Sequence, residues 1–195
     1  MDEGITYHCA LKYLSKPFVF VNKLMCRVDS DRGGCHDAKK STSCVIVSLN
    51  GEPVIWRVLK QRVVTTSTPH SESIALASAV QELVWACDFK AEVGLPQSTI
   101  RVLEDNQLAL LQASGDYKSG TSDHYRRVQF YIEYNIRSGL IWVDKVPTDH
   151  NIADLGTKQV EPIAKFERLR DIANGKNPFV YCGPKVQEIL DDKYD

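Results

Sequence analysis

The apolar residues of this 195-residue chain recur in two rhythms, and the change from one to the other lays out its elements. Leu24 to Asp29 reads as a first strand and Cys44 to Leu49 as a second, with Asn50-Gly51 behind it as a tight-hairpin dipeptide. Pro53 to Val58 returns as a third strand, predicted to reach Val64. Thr66-Ser67-Thr68-Pro69 then offers capping hydroxyls and an early-helix proline. Beyond it Ile74, Leu76, Ala77, Val80, Leu83, Val84 and Trp85 follow at helical spacing. Gly94-Leu95-Pro96 separates this long helix from a fourth strand over 99–103, which leads into a short helix over 106–113. A Gly/Ser-rich charged loop over 114–122 precedes a helix over 124–138 that Gly139 ends. A fifth strand over 140–146 and helices over 149–158 and 162–173 complete the pattern, and residues 10–14 read as the end of a further helix. The order predicts an α/β fold: a mixed five-stranded sheet, made of an antiparallel three-strand meander plus two further strands, flanked by helices. Trp56, Trp85 and Trp142 fall on strand or helix faces and are expected in the core.

This layout brings acids to comparable places. Asp29 ends a strand and Asp105 follows one, while Glu72 and Asp154 are expected in the first turns of helices. Each has an ordinary alternative: a loop acid beside Asp31, a helix-dipole partner, an N-cap and a helix-start residue. Four carboxylates converging on one sheet edge repel one another unless a cation sits between them. Hard divalent cations such as Mg²⁺ take oxygen ligands, so the set points to metal-dependent phosphoryl transfer.

Charge and cysteines narrow the classes. The formal net charge of −1 excludes a broadly basic nucleic-acid binder, leaving only a local patch for such contacts. No apolar run approaches the ~20 residues of a membrane span, and the N-terminus lacks a signal-peptide layout, so an intracellular protein is expected. The six cysteines have no CxxC spacing and read as free thiols. His8-Cys9 and Cys35-His36 lack the intervening spacing of a tetrahedral zinc site.

Five pieces then stand in a telling order: Asp29-Ser30-Asp31-Arg32-Gly33-Gly34, Lys40-Ser41-Thr42-Ser43, Ser67 to Leu76, Asp105-Asn106-Gln107, and Val146-Pro147-Thr148 with Ile152-Ala153-Asp154 and Thr157-Lys158. Together they resemble, over about residues 10 to 170, the ribonuclease H domain of copia-type (LTR) retrotransposon Pol polyproteins. The departures are His70 for a glutamate, Ser73 for a tyrosine, Arg32 for a tryptophan, and Asp123-His124-Tyr125-Arg126 for Lys-His-Ile-Asp. None falls on the four acids.

The resemblance implies a ribonuclease H-like fold and endonucleolytic hydrolysis of the RNA strand of RNA–DNA hybrids by a two-metal-ion mechanism. Asp29, Glu72, Asp105 and Asp154 become the catalytic and metal-binding residues for two Mg²⁺ ions, with Mn²⁺ as the alternative. Ser67, Thr68, Asn106, Gln107 and His124 are candidate substrate contacts, and His150 is a candidate auxiliary group. The implied partners are the hybrid and the reverse transcriptase domain of a parent polyprotein, with no membrane. The expected location is cytoplasmic, in a virus-like particle, or nuclear. The expected layout is a remnant of the segment joining reverse transcriptase to ribonuclease H over 1–22, the domain over 23–174 and a polar tail over 175–195. The chain then reads as a polyprotein fragment or a separately encoded remnant. Two other readings stay open: an inactive remnant that only binds nucleic acid or protein, and another nuclease of the same fold.

Overall fold

The structure, a computed structural model, describes residues 22–34, 39–113 and 123–174, without the side chains of Leu111, Gln112 and His124. The helix expected at 10–14, the linking segment before residue 22, the charged loop over 114–122 and the tail over 175–195 lie outside those residues.

Five strands are present: β1 (Leu24–Ser30), β2 (Thr42–Leu49), β3 (Glu52–Lys60), β4 (Ile100–Glu104) and β5 (Ile141–Lys145). Five helices accompany them: α1 (Thr68–Glu92), α2 (Gln107–Ala113), α3 (Asp123–Arg137), α4 (Asp154–Thr157) and α5 (Ile163–Ala173). The sheet order is β3-β2-β1-β4-β5. β1, β2 and β3 pair antiparallel, whereas β4 runs parallel to both β1 and β5. Asn50 and Gly51 both have positive φ, the backbone of a two-residue hairpin turn between Leu49 and Glu52.

One face of the sheet is buried against α1, where Cys26, Val28, Val45, Val47 and Val102 meet Leu76, Val80 and Leu83. Each such aliphatic side chain contributes about 1.5–3 kcal/mol by leaving water. On a second, smaller core Cys44 and Ile46 of β2 pack with Ile152, Ala153, Leu169 and Ile172. There Gly156 permits close approach of α4 to the sheet: a Cβ on it would stand 2.5 Å from Cys44 Sγ and 2.8 Å from Val58 Cγ2.

Three expectations need correction. β3 stops at Lys60 rather than Val64, because Gln61 turns inward and donates to Ser43 Oγ (2.8 Å) and the Ser71 carbonyl (2.9 Å). The helix expected over 149–158 is a 3-10 turn, Thr148–His150, followed by the short α4. Asn151 breaks it with extended backbone, its amide donating to the Val28 carbonyl at 2.8 Å and its Oδ1 accepting from the Ala153 N–H. The three tryptophans are outside the core: Trp56, Trp85 and Trp142 are 55%, 59% and 61% exposed. Trp56 sits on the edge strand, Trp85 stacks on Phe89, and the Trp142 indole N–H donates to Asp144.

Candidate active site

The parallel pairing of β1 with β4 sets Arg27 opposite Leu103, so carrying the register two residues on places Asp29 beside Asp105. The Asn151 tether to the end of β1 brings α4 to the same edge, and Asp154, its first residue, is fully buried there. Asp29, Asp105 and Asp154 each put one ligand oxygen within 4.8 Å of the others. The capping of α2 falls to Asn106, whose Oδ1 accepts from the N–H groups of Leu108 and Ala109, both at 3.0 Å. That leaves the Asp105 carboxylate for the cluster.

Glu72 is the fifth residue of α1, beyond its first turn, and it is buried. It therefore reaches inward instead of pairing with the helix dipole. Its partners are Asp105 and Glu104: one oxygen of each of the three lies within 4.8 Å of the others. The four acids expected from the sequence thus meet at one sheet edge, in two groups that share Asp105.

Glu104 was not among the expected residues. A signal for it exists in β4, where Ile100, Val102 and Glu104 are the alternate residues and the first two lie in the core. A carboxylate at the next inward position is buried by pattern, and buried acids require a reason. Lys158, Lys165 and Thr157 were also missed as site residues. Lys158 Nζ lies 2.7 Å from Asp154 Oδ1 and 3.6 Å from Asp29 Oδ2; Lys165 Nζ lies 3.0 Å from Asp154 Oδ2. The Thr157 hydroxyl donates to Asp29. The i, i+4 spacing of Asp154 and Lys158 was legible; the reach of Lys165 from α5 was not.

Burial pushes the Asp29 carboxyl up to about 6, against the opposing pull of the Thr157 hydrogen bond and the Lys158 charge. Burial and the Asp29 charge push Glu72 up to about 9. Glu104 is held well above the usual carboxylate range by burial and then by Glu72. All three shifts have the sign of acids crowded together away from water.

The remaining candidates scatter. Ser67 caps α1, accepting from the His70 N–H, and is exposed; Thr68 is half-buried beside it. Gln107 is exposed at the start of α2. His124 is the second residue of α3, and its side chain lies outside the described residues. His150 stands on the 3-10 turn, its pKa lowered by burial and by Arg168, and belongs to neither carboxylate group. Asp31 also stays outside both groups and accepts from the Thr42 N–H. Three departures from the resemblance prove to be neighbours: the Tyr125 ring meets His70 edge-on at 4.3 Å, and its hydroxyl lies 3.1 Å from Ser73 Oγ. These residues meet at the α1–α3 contact, and none of them belongs to the carboxylate groups.

The donor set fits divalent cations. It consists of carboxylate oxygens, the ligands that hard cations prefer, and Oε2 of both Glu72 and Glu104 is buried without a hydrogen-bond partner in the protein.

No family model matches the chain. It is 28% identical over 144 residues, 74% of its length, to the retrovirus-related Pol polyprotein from transposon TNT 1-94 of Nicotiana tabacum. It is 29% identical over 151 residues, 77% of its length, to that from transposon RE2 of Arabidopsis thaliana. The matched stretches are 11% and 10% of those polyproteins, so the chain spans about a tenth of the length of these relatives. Among solved structures, LC11-RNase H1 in complex with an RNA/DNA hybrid superposes with a TM-score of 0.54 at 16% identity, covering 69% of this chain and 94% of that one. The fold is that of ribonuclease H. The chain's homologues are retrovirus-related transposon Pol polyproteins, and the two findings together fit a ribonuclease H domain of a retrotransposon Pol.

Proposed function

We propose that this chain hydrolyses the RNA strand of RNA–DNA hybrids, with two divalent cations, Mg²⁺ or Mn²⁺, held by Asp29, Glu72, Asp105 and Asp154. The observation that carries the reading is the meeting of these four sequence-distant acids at one sheet edge of a ribonuclease H fold. Cations bound there supply charge neutralisation at the scissile phosphate, an acidified water and stabilisation of the leaving 3′-oxygen. The chain's own residues supply position. Asp105 belongs to both carboxylate groups and so links their geometry. Thr157 orients Asp29, and Lys165 and Lys158 orient Asp154. Ser67, Thr68, Asn106, Gln107 and His124 are the proposed contacts to the hybrid, hydroxyls and amides suiting phosphate oxygens and the 2′-hydroxyl. Such a domain works beside the reverse transcriptase of a parent polyprotein.

The test is cleavage of a labelled hybrid by the purified chain in Mg²⁺ or Mn²⁺, beside Asp105→Asn and duplex RNA and DNA controls. Metal-dependent cutting of the hybrid's RNA strand alone is expected. Asp105→Asn is expected to lower it by at least ~100-fold, since even the outer partners of metal ligands carry about 10- to 100-fold. A folded protein that binds hybrid and leaves it intact at high enzyme concentration overturns the reading in favour of a non-catalytic binding module.

A further inference from the structure

Glu104 is an acid that the four-carboxylate pattern does not use. It is fully buried; its Oε1 accepts from the Asn106 N–H at 2.9 Å, while its Oε2 has no partner in the protein. Glu72 Oε2 is in the same condition. No lysine or arginine among the described residues forms an ion pair with either glutamate. Burying a carboxylate without a partner is costly, and a cation is one remedy. The spacing suits one. Oxygens that bind a single ion at about 2.1–2.4 Å stand at most about 4.2–4.8 Å apart. Glu72, Glu104 and Asp105 each have a ligand oxygen within 4.8 Å of the others.

Building on the ribonuclease reading above, we propose that Glu104 is a direct ligand of the divalent cation held between Glu72, Glu104 and Asp105. The site then has five carboxylates rather than four. The consequence is metal preference. A further protein oxygen replaces a water on the ion, and Mg²⁺ gives up water reluctantly and demands near-ideal octahedral geometry. Glu104 therefore biases this position toward the more permissive Mn²⁺.

The test is calorimetric titration of the whole chain with Mn²⁺ and with Mg²⁺, for wild type, Glu104→Gln and Glu104→Asp, alongside hybrid cleavage. Gln preserves an acceptor for the Asn106 N–H while removing the charge. Glu104→Gln is expected to weaken one Mn²⁺ site at least ~10-fold, to narrow the Mn²⁺-over-Mg²⁺ preference and to leave the other site intact. Two Mn²⁺ bound by Glu104→Gln with wild-type affinity would overturn the proposal. Should Glu104→Gln not fold, Glu104→Asp decides, because its shortened reach is expected to weaken the same site and an unchanged affinity overturns the assignment. Wild-type cleavage with unaltered Mn²⁺ binding in the variant rejects Glu104 alone; a wild type that neither binds Mn²⁺ nor cleaves rejects the ribonuclease reading with it.

Discussion

At the Asp29–Asp154 end of the acid cluster, two lysines and a threonine hydroxyl reach the carboxylates. At the Glu72–Glu104 end, no basic side chain among the described residues does so, and each glutamate keeps an orphan oxygen. Both ends are buried in the same sheet edge, so the contrast lies in partners and not in exposure. The first end carries its own counter-ions; the second needs a proton or a cation from solution. Lys158 also lies against two acids of the proposed cation site, Asp29 and Asp154. On the proposed function, a divalent cation would compete with an internal ion pair at one end and relieve crowded acids at the other.

The largest effect expected from breaking this contrast is at Lys165. Its side chain is 15% exposed and pairs with an Asp154 carboxylate that is 0% exposed. Lys165→Met leaves a buried charge half-partnered and is expected to cost about 3 kcal/mol in urea denaturation without metal. Lys158 is 41% exposed, so Lys158→Met is expected to cost only about 1 kcal/mol. Millimolar Mg²⁺ is expected to restore more stability to Lys158→Met than it adds to wild type, because the cation then meets Asp29 and Asp154 without a competitor. Equal gains in the two proteins would show that Lys158 does not occupy the cation's place.

Comparable in size is the dependence on pH. In the unfolded chain Glu72 ionises near 4.5, and in the fold near 9; for Asp29 the values are 3.8 and about 6. Between each pair of values the folded state holds a proton that the unfolded chain has released, so stability falls as pH rises. Lowering the pH of the metal-free protein from 9 to 6 is expected to raise its stability through Glu72, and lowering it further toward 4 adds the Asp29 contribution. Each group limits the slope to about 1.4 kcal/mol per pH unit. Saturating Mg²⁺ is expected to flatten the profile by favouring the ionised acids. A metal-free urea midpoint that stays level from pH 9 to 6 would remove the basis for contrasting the two ends.

The sequence exposed these features unevenly, for physical reasons. Strand alternation, the Asn50-Gly51 turn and the Thr68-Pro69 helix start are local signals, and the structure has them. The four acids were legible because each lies near a strand end or a helix start at the same sheet edge. Glu104 is less legible because its role depends on burial beneath α1, which a strand-end position next to Asp105 does not reveal. Lys165 escaped because its contact with Asp154 depends on how α5 packs, which no local pattern encodes. The break at Asn151 was equally hidden: its amide bonds to Val28, 123 residues away in the chain. The tryptophans lie outside the core because edge strands and outer helix faces also carry large apolar side chains, so apolar character alone does not signal burial.

The smallest effect expected is at Tyr125, and it separates the site from its support. Tyr125 is buried, touches His70 and sits with its hydroxyl 3.1 Å from Ser73 Oγ, one residue beyond Glu72. Its ring fills the α1–α3 contact, and its hydroxyl bonds to Ser73, a neighbour of a site acid, and to the Gln129 side chain. Tyr125→Phe keeps the ring and removes both bonds. Ser73 also donates to the Pro69 carbonyl at 2.9 Å, so its hydroxyl retains a partner in the variant. The expected cost is about 1 kcal/mol in urea denaturation, with Mn²⁺ affinity and hybrid cleavage unchanged. A loss of metal affinity in Tyr125→Phe would mean that the Glu72 end depends on these hydrogen bonds for its shape. The contrast between the two ends would then be one of positioning as much as of charge.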